Sequence, residues 1–140
     1  MVISKSAYWA LKALVYLADR RSHYGPQISA SVASAIAAPA PGTASLLRRL
    51  AMAGILVSFR GLGGGFLLAR DPAEITALEV CRAVSLDAPS HAAGLDDSQG
   101  ETADGVDRLI QALSCDVRNR LAATSIADLA GDLHASGAVR

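Results

Sequence analysis

Acidic residues are almost missing from the first half of this chain: between Met1 and Arg70 there is one, Asp19. Cysteine is scarce too, with Cys81 and Cys115 the two thiols among 140 residues. Two isolated thiols make neither a disulfide framework nor a Cys-x-x-Cys metal site, so a reducing cytoplasm is the expected compartment. The opening residues Met1-Val2-Ile3-Ser4-Lys5 lack the apolar run of a signal peptide. Every longer apolar run is interrupted by Lys, Arg, Asp or Gly short of a membrane span, and no membrane partner is expected. No nucleophile–base pair, paired carboxylates or metal motif occurs at useful spacing, so the chain is not expected to be an enzyme.

What is present is a division of charge that the zero net charge conceals. Residues 1–70 carry eight Lys and Arg against one acid, a surplus of seven; residues 71–140 carry five Arg against twelve acids, a deficit of seven. Such asymmetry suits an amino-terminal half that meets a polyanion and a carboxyl-terminal half with another task. Two solvated faces of one protein would give the same tally. With 51% hydrophobic residues the chain is far too apolar for disorder and long enough for one domain with an appended element.

Ser4 can cap a first helix running to about residue 20, with Leu11, Leu14, Val15 and Ala18 as its buried stripe. Ser22-His23-Tyr24-Gly25-Pro26 breaks it. A second helix is expected over about 29–36, turning Val32, Ala33 and Ile36 inward. After Pro39 and Pro41 a third runs over about 42–53, with Leu46, Leu47 and Leu50 as its core side and Gly54 as its stop. Residues 55–59 and 66–69 read as strands, joined by the glycine-rich tip Arg60-Gly61-Leu62-Gly63-Gly64-Gly65. A fourth helix follows over about 75–85, with Ile75, Leu78, Val80 and Val84 available to pack.

Residues 86–103 form a polar, acidic loop. The longest helix comes next, over about 104–122, with Val106, Leu109, Ile110, Leu113, Val117 and Leu121 along one side near heptad spacing. That side needs a partner surface, most economically the same helix of a second subunit. A last helix over about 125–133 should fold back onto the body. The resulting division is 1–85, 86–103 and 104–140.

Two short helices, a tight turn, a third helix and a hairpin make a mostly α fold: a winged helix-turn-helix with a small β-hairpin wing and a long carboxyl-terminal dimerisation helix. In that arrangement Pro41, Thr43, Ala44 and Ser45 open the recognition helix, and Thr43 and Ser45 are short polar groups able to approach base edges. Lys5, Arg48 and Arg49 supply charge for phosphates. The wing adds Arg60, Gly61, Leu62, Gly63, Gly64 and Gly65, with Arg70 at its other edge. The glycine run is no P-loop, since no Lys follows Gly65, and no dinucleotide fingerprint, since the sixth position is Phe66. Its glycines are best explained by backbone that must approach a groove closely. The implied partners are a double-stranded DNA operator and a second copy of the chain.

The residues also carry a family resemblance. The opening Ser4-Lys5-Ser6-Ala7-Tyr8-Trp9-Ala10-Leu11-Lys12-Ala13-Leu14-Val15-Tyr16-Leu17-Ala18 resembles that of the Rrf-type, IscR/NsrR-like bacterial transcriptional regulators. So do Leu50-Ala51-Met52-Ala53-Gly54-Ile55-Leu56, the hairpin from Arg60 to Arg70, Ile75-Thr76-Ala77-Leu78-Glu79-Val80 and Ser125-Ile126-Ala127-Asp128-Leu129. The resemblance implies a winged-helix homodimer that binds an operator, usually as a repressor, with the long helices crossing at the interface.

The chain also departs from that pattern. Sensing members usually carry three cysteines, as iron–sulfur ligands, in the loop before the long helix; here residues 86–103 hold none. His91, Asp96, Asp97, Ser98 and Glu101 are poor replacements for three thiolates, so no iron–sulfur cofactor is expected. Cys81 and Cys115 read as small buried hydrophobes. A dimer could still bring two copies of Cys115 together as a redox thiol. Where relatives often have an aromatic, a leucine and a glutamate, this chain has Gly42-Thr43-Ala44. Losing that acid removes an acceptor for a cytosine amine, so an operator sequence should not be borrowed from relatives. The competing function is an interaction module that acts mainly by binding another protein through its acidic half.

Overall fold

The computed structural model describes residues 3–20, 25–85 and 104–135. Helix α1 spans Lys5–Arg20, α2 Ser29–Ile36 and α3 Ala40–Met52; strands β1, Leu56–Phe59, and β2, Gly65–Leu68, form an antiparallel hairpin. A 3-10 turn, Pro72–Glu74, leads into α4, Ala77–Val84, followed by α5, Asp104–Ala123, and α6, Ile126–Ala135. The expected mostly helical winged architecture is present. Side chains at 86–103, including the acidic groups weighed as ligands, lie outside the described residues.

Local chemistry explains where these elements start and stop. Ser4 Oγ accepts the Ala7 amide at 3.1 Å, the expected cap of α1. Thr76 Oγ1 accepts the Glu79 amide and begins α4. At the start of α6, Ser125 and Asp128 cap one another, each backbone amide donating to the other side chain at 3.0 Å. Hydrogen bonds from the Ser125 amide and then its hydroxyl hold the Asp128 carboxyl below its ordinary pKa. At the end of α3, Gly54 stands at φ +79°; its amide reaches the Ala51 carbonyl and the Ile55 amide reaches that of Leu50, the paired closure of a Schellman cap.

The core runs between α1, α2, α3, α4 and α6. Leu14, Val32, Leu47, Leu50, Ile55, Ile75, Val80 and Ile126 are fully enclosed. The inward residues expected of α2 and α3 are all buried. On α1 the buried line is offset from the expected one: Ala7, Ala10, Ala13, Leu14 and Leu17 are buried, while Leu11, Val15 and Ala18 are only partly covered. Three alanines allow α2, α4 and α6 to approach α1 closely, which larger side chains would prevent.

The carboxyl-terminal segment is not a separate unit. Thr76 and Ser125 form an isolated β-bridge, with the Ala77 amide donating to Thr124 at 2.8 Å and the Ile126 amide to Ile75 at 2.9 Å. These bonds tie the start of α6 to the entry of α4, and α6 packs on α1 as its expected return to the body required, so the core crosses the boundary drawn between 1–85 and 104–140. Helix α5 is different. It packs on α4 and sends Leu121 toward the core, but Val106, Leu109 and Leu113 are 64, 58 and 50% exposed. Ile110 and Val117 are half-buried.

Candidate nucleic-acid interface

Helices α2 and α3 meet at 115°, inside the about 90–120° range of a helix-turn-helix. Between them Ala37 adopts φ +57°, and the Ala38 and Ala37 amides donate to Ala33 and Ser34. The sharp turn therefore has the same closure as the end of α3, made with alanine where Gly is the usual occupant.

Core contacts on α3 come from Thr43, Leu46, Leu47 and Leu50. Thr43 corrects the sequence reading: it is 2% exposed and donates its hydroxyl to the Pro39 carbonyl at 2.9 Å. A threonine in a first helical turn can satisfy itself on the carbonyl four residues back, and this one has no surface left for a base. At 100° per residue, the side opposite those four consists of Pro41, Ser45, Arg48 and Met52. Pro41 and Arg48 are exposed, Ser45 is partly so, and Met52 is 88% exposed. Met52 was missed, although its 4-3-4 spacing from Pro41, Ser45 and Arg48 marks it. Ala44 lies on the flank, half-covered.

On the other flank Arg49 faces α1. A cleft of about 310 Å³ separates the starts of α1 and α3, lined by Lys5, Ser6, Trp9, Pro39, Ser45 and Arg49 among others. Two of the three amino-terminal cations expected at phosphates thus share one depression. Beside it Lys12 Nζ stands 5.3 and 5.6 Å from the ring centres of Tyr8 and Trp9, which meet edge to face.

The wing pairs Leu56 with Leu68, Val57 with Leu67, Ser58 with Phe66 and Phe59 with Gly65. Gln27 adds a third short rung: its amide donates to the Phe66 carbonyl at 3.1 Å, and its carbonyl accepts the Phe66 amide at 2.8 Å. Arg60 is exposed before the tip, and Leu62 is fully exposed on it. The glycines divide in a way that the sequence reading did not foresee. Gly61 and Gly63, at φ +88° and +74°, serve the turn closed by the Gly64 amide on the Gly61 carbonyl. A Cβ on Gly64 would stand 2.5 Å from the Phe59 carbonyl oxygen, and one on Gly65 would stand 2.4 Å from that of Gln27. Two of the four tip glycines are therefore demanded by the protein's own backbone rather than by a groove. Arg70, expected at the wing's other edge, is ion-paired with Glu79 of α4 and tethers the foot of the wing to the body.

The thiols lie apart in kind. Cys81 is buried on α4, and burial pushes its pKa up. Cys115 is exposed on α5, against the expectation of a buried small hydrophobe, and its sulfur accepts from Asn119 Nδ2 at 3.7 Å.

The sequence pattern of Rrf2, an iron-dependent transcriptional regulator, matches residues 3–132. The chain belongs to the Rrf2 family. Rrf2 proteins regulate transcription and are not enzymes. Among solved structures, IscR of T. potens superposes with a TM-score of 0.75 at 23% identity, covering 94% of this chain and 88% of that one. CymR of B. subtilis, its global cysteine regulator, gives 0.70 at 28% identity, covering 94% and 97%. CymR of Staphylococcus aureus in its oxidised form gives 0.72 at 24%, covering 93% and 96%. Comparison with curated proteins returned no match.

IscR-like members of the Rrf2 family can hold an iron–sulfur cluster. These residues do not fit one held by three thiolates: the chain has two cysteines, one buried on α4 and the other exposed on α5. Among the described residues no three His, Cys, Asp or Glu are grouped to hold a metal ion. Nor is any single described helix long and apolar enough to cross a membrane.

Proposed function

We propose that the chain is a homodimeric, sequence-specific DNA-binding repressor that works in the cytoplasm without a cysteine-ligated iron–sulfur cluster. The α5 faces of two copies, built on Val106, Leu109 and Leu113, cover each other. Each α3 then enters a major groove, the two about one helical turn, or 34 Å, apart on one side of the duplex. Lys5, Arg49 and Arg60 meet phosphates, while Gly61, Leu62 and Gly63 carry the wing along the flanking minor groove.

The observation that carries this reading is the contrast on α3. Its inner side is closed by four buried residues, and its outer line of Pro41, Ser45, Arg48 and Met52 is left open beside the Lys5–Arg49 cleft. A half-chain with one acid among its first 70 residues adds a field that draws DNA in.

Titrating the full chain against the promoter region upstream of its own gene tests the proposal. Affinity should fall steeply with salt, as several released counterions require. A shift that ignores salt, or none on that region, sinks it. Iron and sulfide assays on anaerobically purified protein should find neither in stoichiometric amount, and a brown sample with stoichiometric sulfide refutes the cluster-free part.

A further inference from the structure

Adjacent arginines on α3 are turned to different surroundings. Arg48 lies on the outer line with Pro41 and Ser45, whereas Arg49 is half-buried and lines the cleft that it shares with Lys5. With Thr43 sealed into the core, the polar groups left on the outer line are one hydroxyl and one guanidinium. Among the described residues no ion pair or hydrogen bond engages the Arg48 head group. Helical side chains lean toward the amino terminus, so the long Arg48 side chain runs back along Ser45 toward the end of α3 that leads into a groove.

We infer that Arg48 is the specificity-determining residue of this interface and reads a guanine through its O6 and N7, while Arg49 holds a backbone phosphate with Lys5. The inference rests on the DNA-binding reading above. A planar fork of donors matches the two guanine acceptors in the major groove and no other base as well. Ser45 is too short to discriminate alone, and Pro41 offers only apolar contact. The flanking position of Arg49 suits charge neutralisation, which carries no base preference.

The test is selection from a randomised duplex library with the full chain, run in parallel on wild type, Arg48→Ala, Arg48→Lys and Arg49→Ala. Arg48 is exposed, so its variants should melt as wild type does. Wild type should enrich a half-site with one strongly preferred G·C pair. Arg48→Ala should lose that preference, worth roughly 5- to 150-fold in affinity, and leave the remaining positions unchanged. Arg48→Lys should keep the salt dependence and lose most of the discrimination. Arg49→Ala should weaken all sequences alike and lower the salt slope by about one.

An unchanged motif from Arg48→Ala overturns the assignment, as does an altered motif from Arg49→Ala together with a uniform loss from Arg48→Ala. Binding by wild type that enriches no sequence overturns it while leaving DNA affinity standing. Failure to hold any duplex at low salt overturns both it and the proposed function.

Discussion

Helix α1 buries Ala10, Leu14 and Leu17 under α2, α4 and α6, whereas α5 leaves Val106, Leu109 and Leu113 half or more exposed. Both helices are long and amphipathic, at 16 and 20 residues. The difference lies in what the rest of the chain can reach. Four helices, the returning α6 among them, and the hairpin close around α1. For α5 the body supplies α4 and a seat for Leu121, and the apolar line nearer its start is left to another surface. Stability of the body should therefore be independent of concentration, and occupation of the α5 face should depend on it.

The largest effect should come from breaking the open side. Leu109→Asp with Leu113→Asp places two carboxylates where the proposed dimer is dry, and each would be desolvated without a partner. Light scattering should give the mass of one chain instead of two. Affinity for a two-fold operator should fall at least about 100-fold, because each half then binds without its linked neighbour. The melting of the single chain should be preserved. A variant that keeps the mass of two chains would show that another surface makes the contact.

On the closed side, Leu14→Ala should cost about 2–5 kcal/mol of unfolding free energy, equally at low and high protein concentration. Chemical denaturation at two concentrations tests both parts of that statement. Within the wing, Gly65→Ala should cost about 1–3 kcal/mol, because its new methyl meets the Gln27 carbonyl and its φ of +142° is one that L residues rarely adopt. Gly61→Ala has open space around its Cβ and only its φ of +88° against it, so about 1 kcal/mol is expected. If the two cost the same, the distinction between packing glycines and turn glycines fails.

That distinction marks what the sequence could and could not disclose. Helix α2 and the inward side of α3 were legible because bulky aliphatic residues recur at helical spacing with turn residues on either side. The open line of α5 was legible for the same reason. Thr43 was not: a polar side chain near a helix start suggests exposure, and the Pro39 carbonyl that satisfies it becomes visible only once the turn is built. The offset on α1 was hidden because alanine adds little to an apolar pattern, yet Ala7, Ala10 and Ala13 set how closely neighbouring helices approach. Gly64 and Gly65 depend on Phe59 and Gln27, and Arg70 depends on Glu79; the local pattern names none of these partners.

The smallest expected effect uses two helix ends within the body. Helices α2 and α3 both finish with a left-handed residue and the same pair of backbone bonds, but α3 uses Gly54 and α2 uses Ala37. An alanine at φ +57° crowds its Cβ against the carbonyl, at about 1–2 kcal/mol, while glycine escapes that and instead raises the entropy of the unfolded chain. The strain term is the larger of the two, so Ala37→Gly should stabilise by up to about 1 kcal/mol and raise the melting temperature by about 3 °C. Ala37 is exposed, so no packing is lost. The gain should be the same at every protein concentration and should leave the mass of the assembly unchanged. A rise in melting temperature that appeared only at high concentration would mean that the α2–α3 turn, too, takes part in contact between chains, and the line drawn between a closed body and an open α5 would have to move.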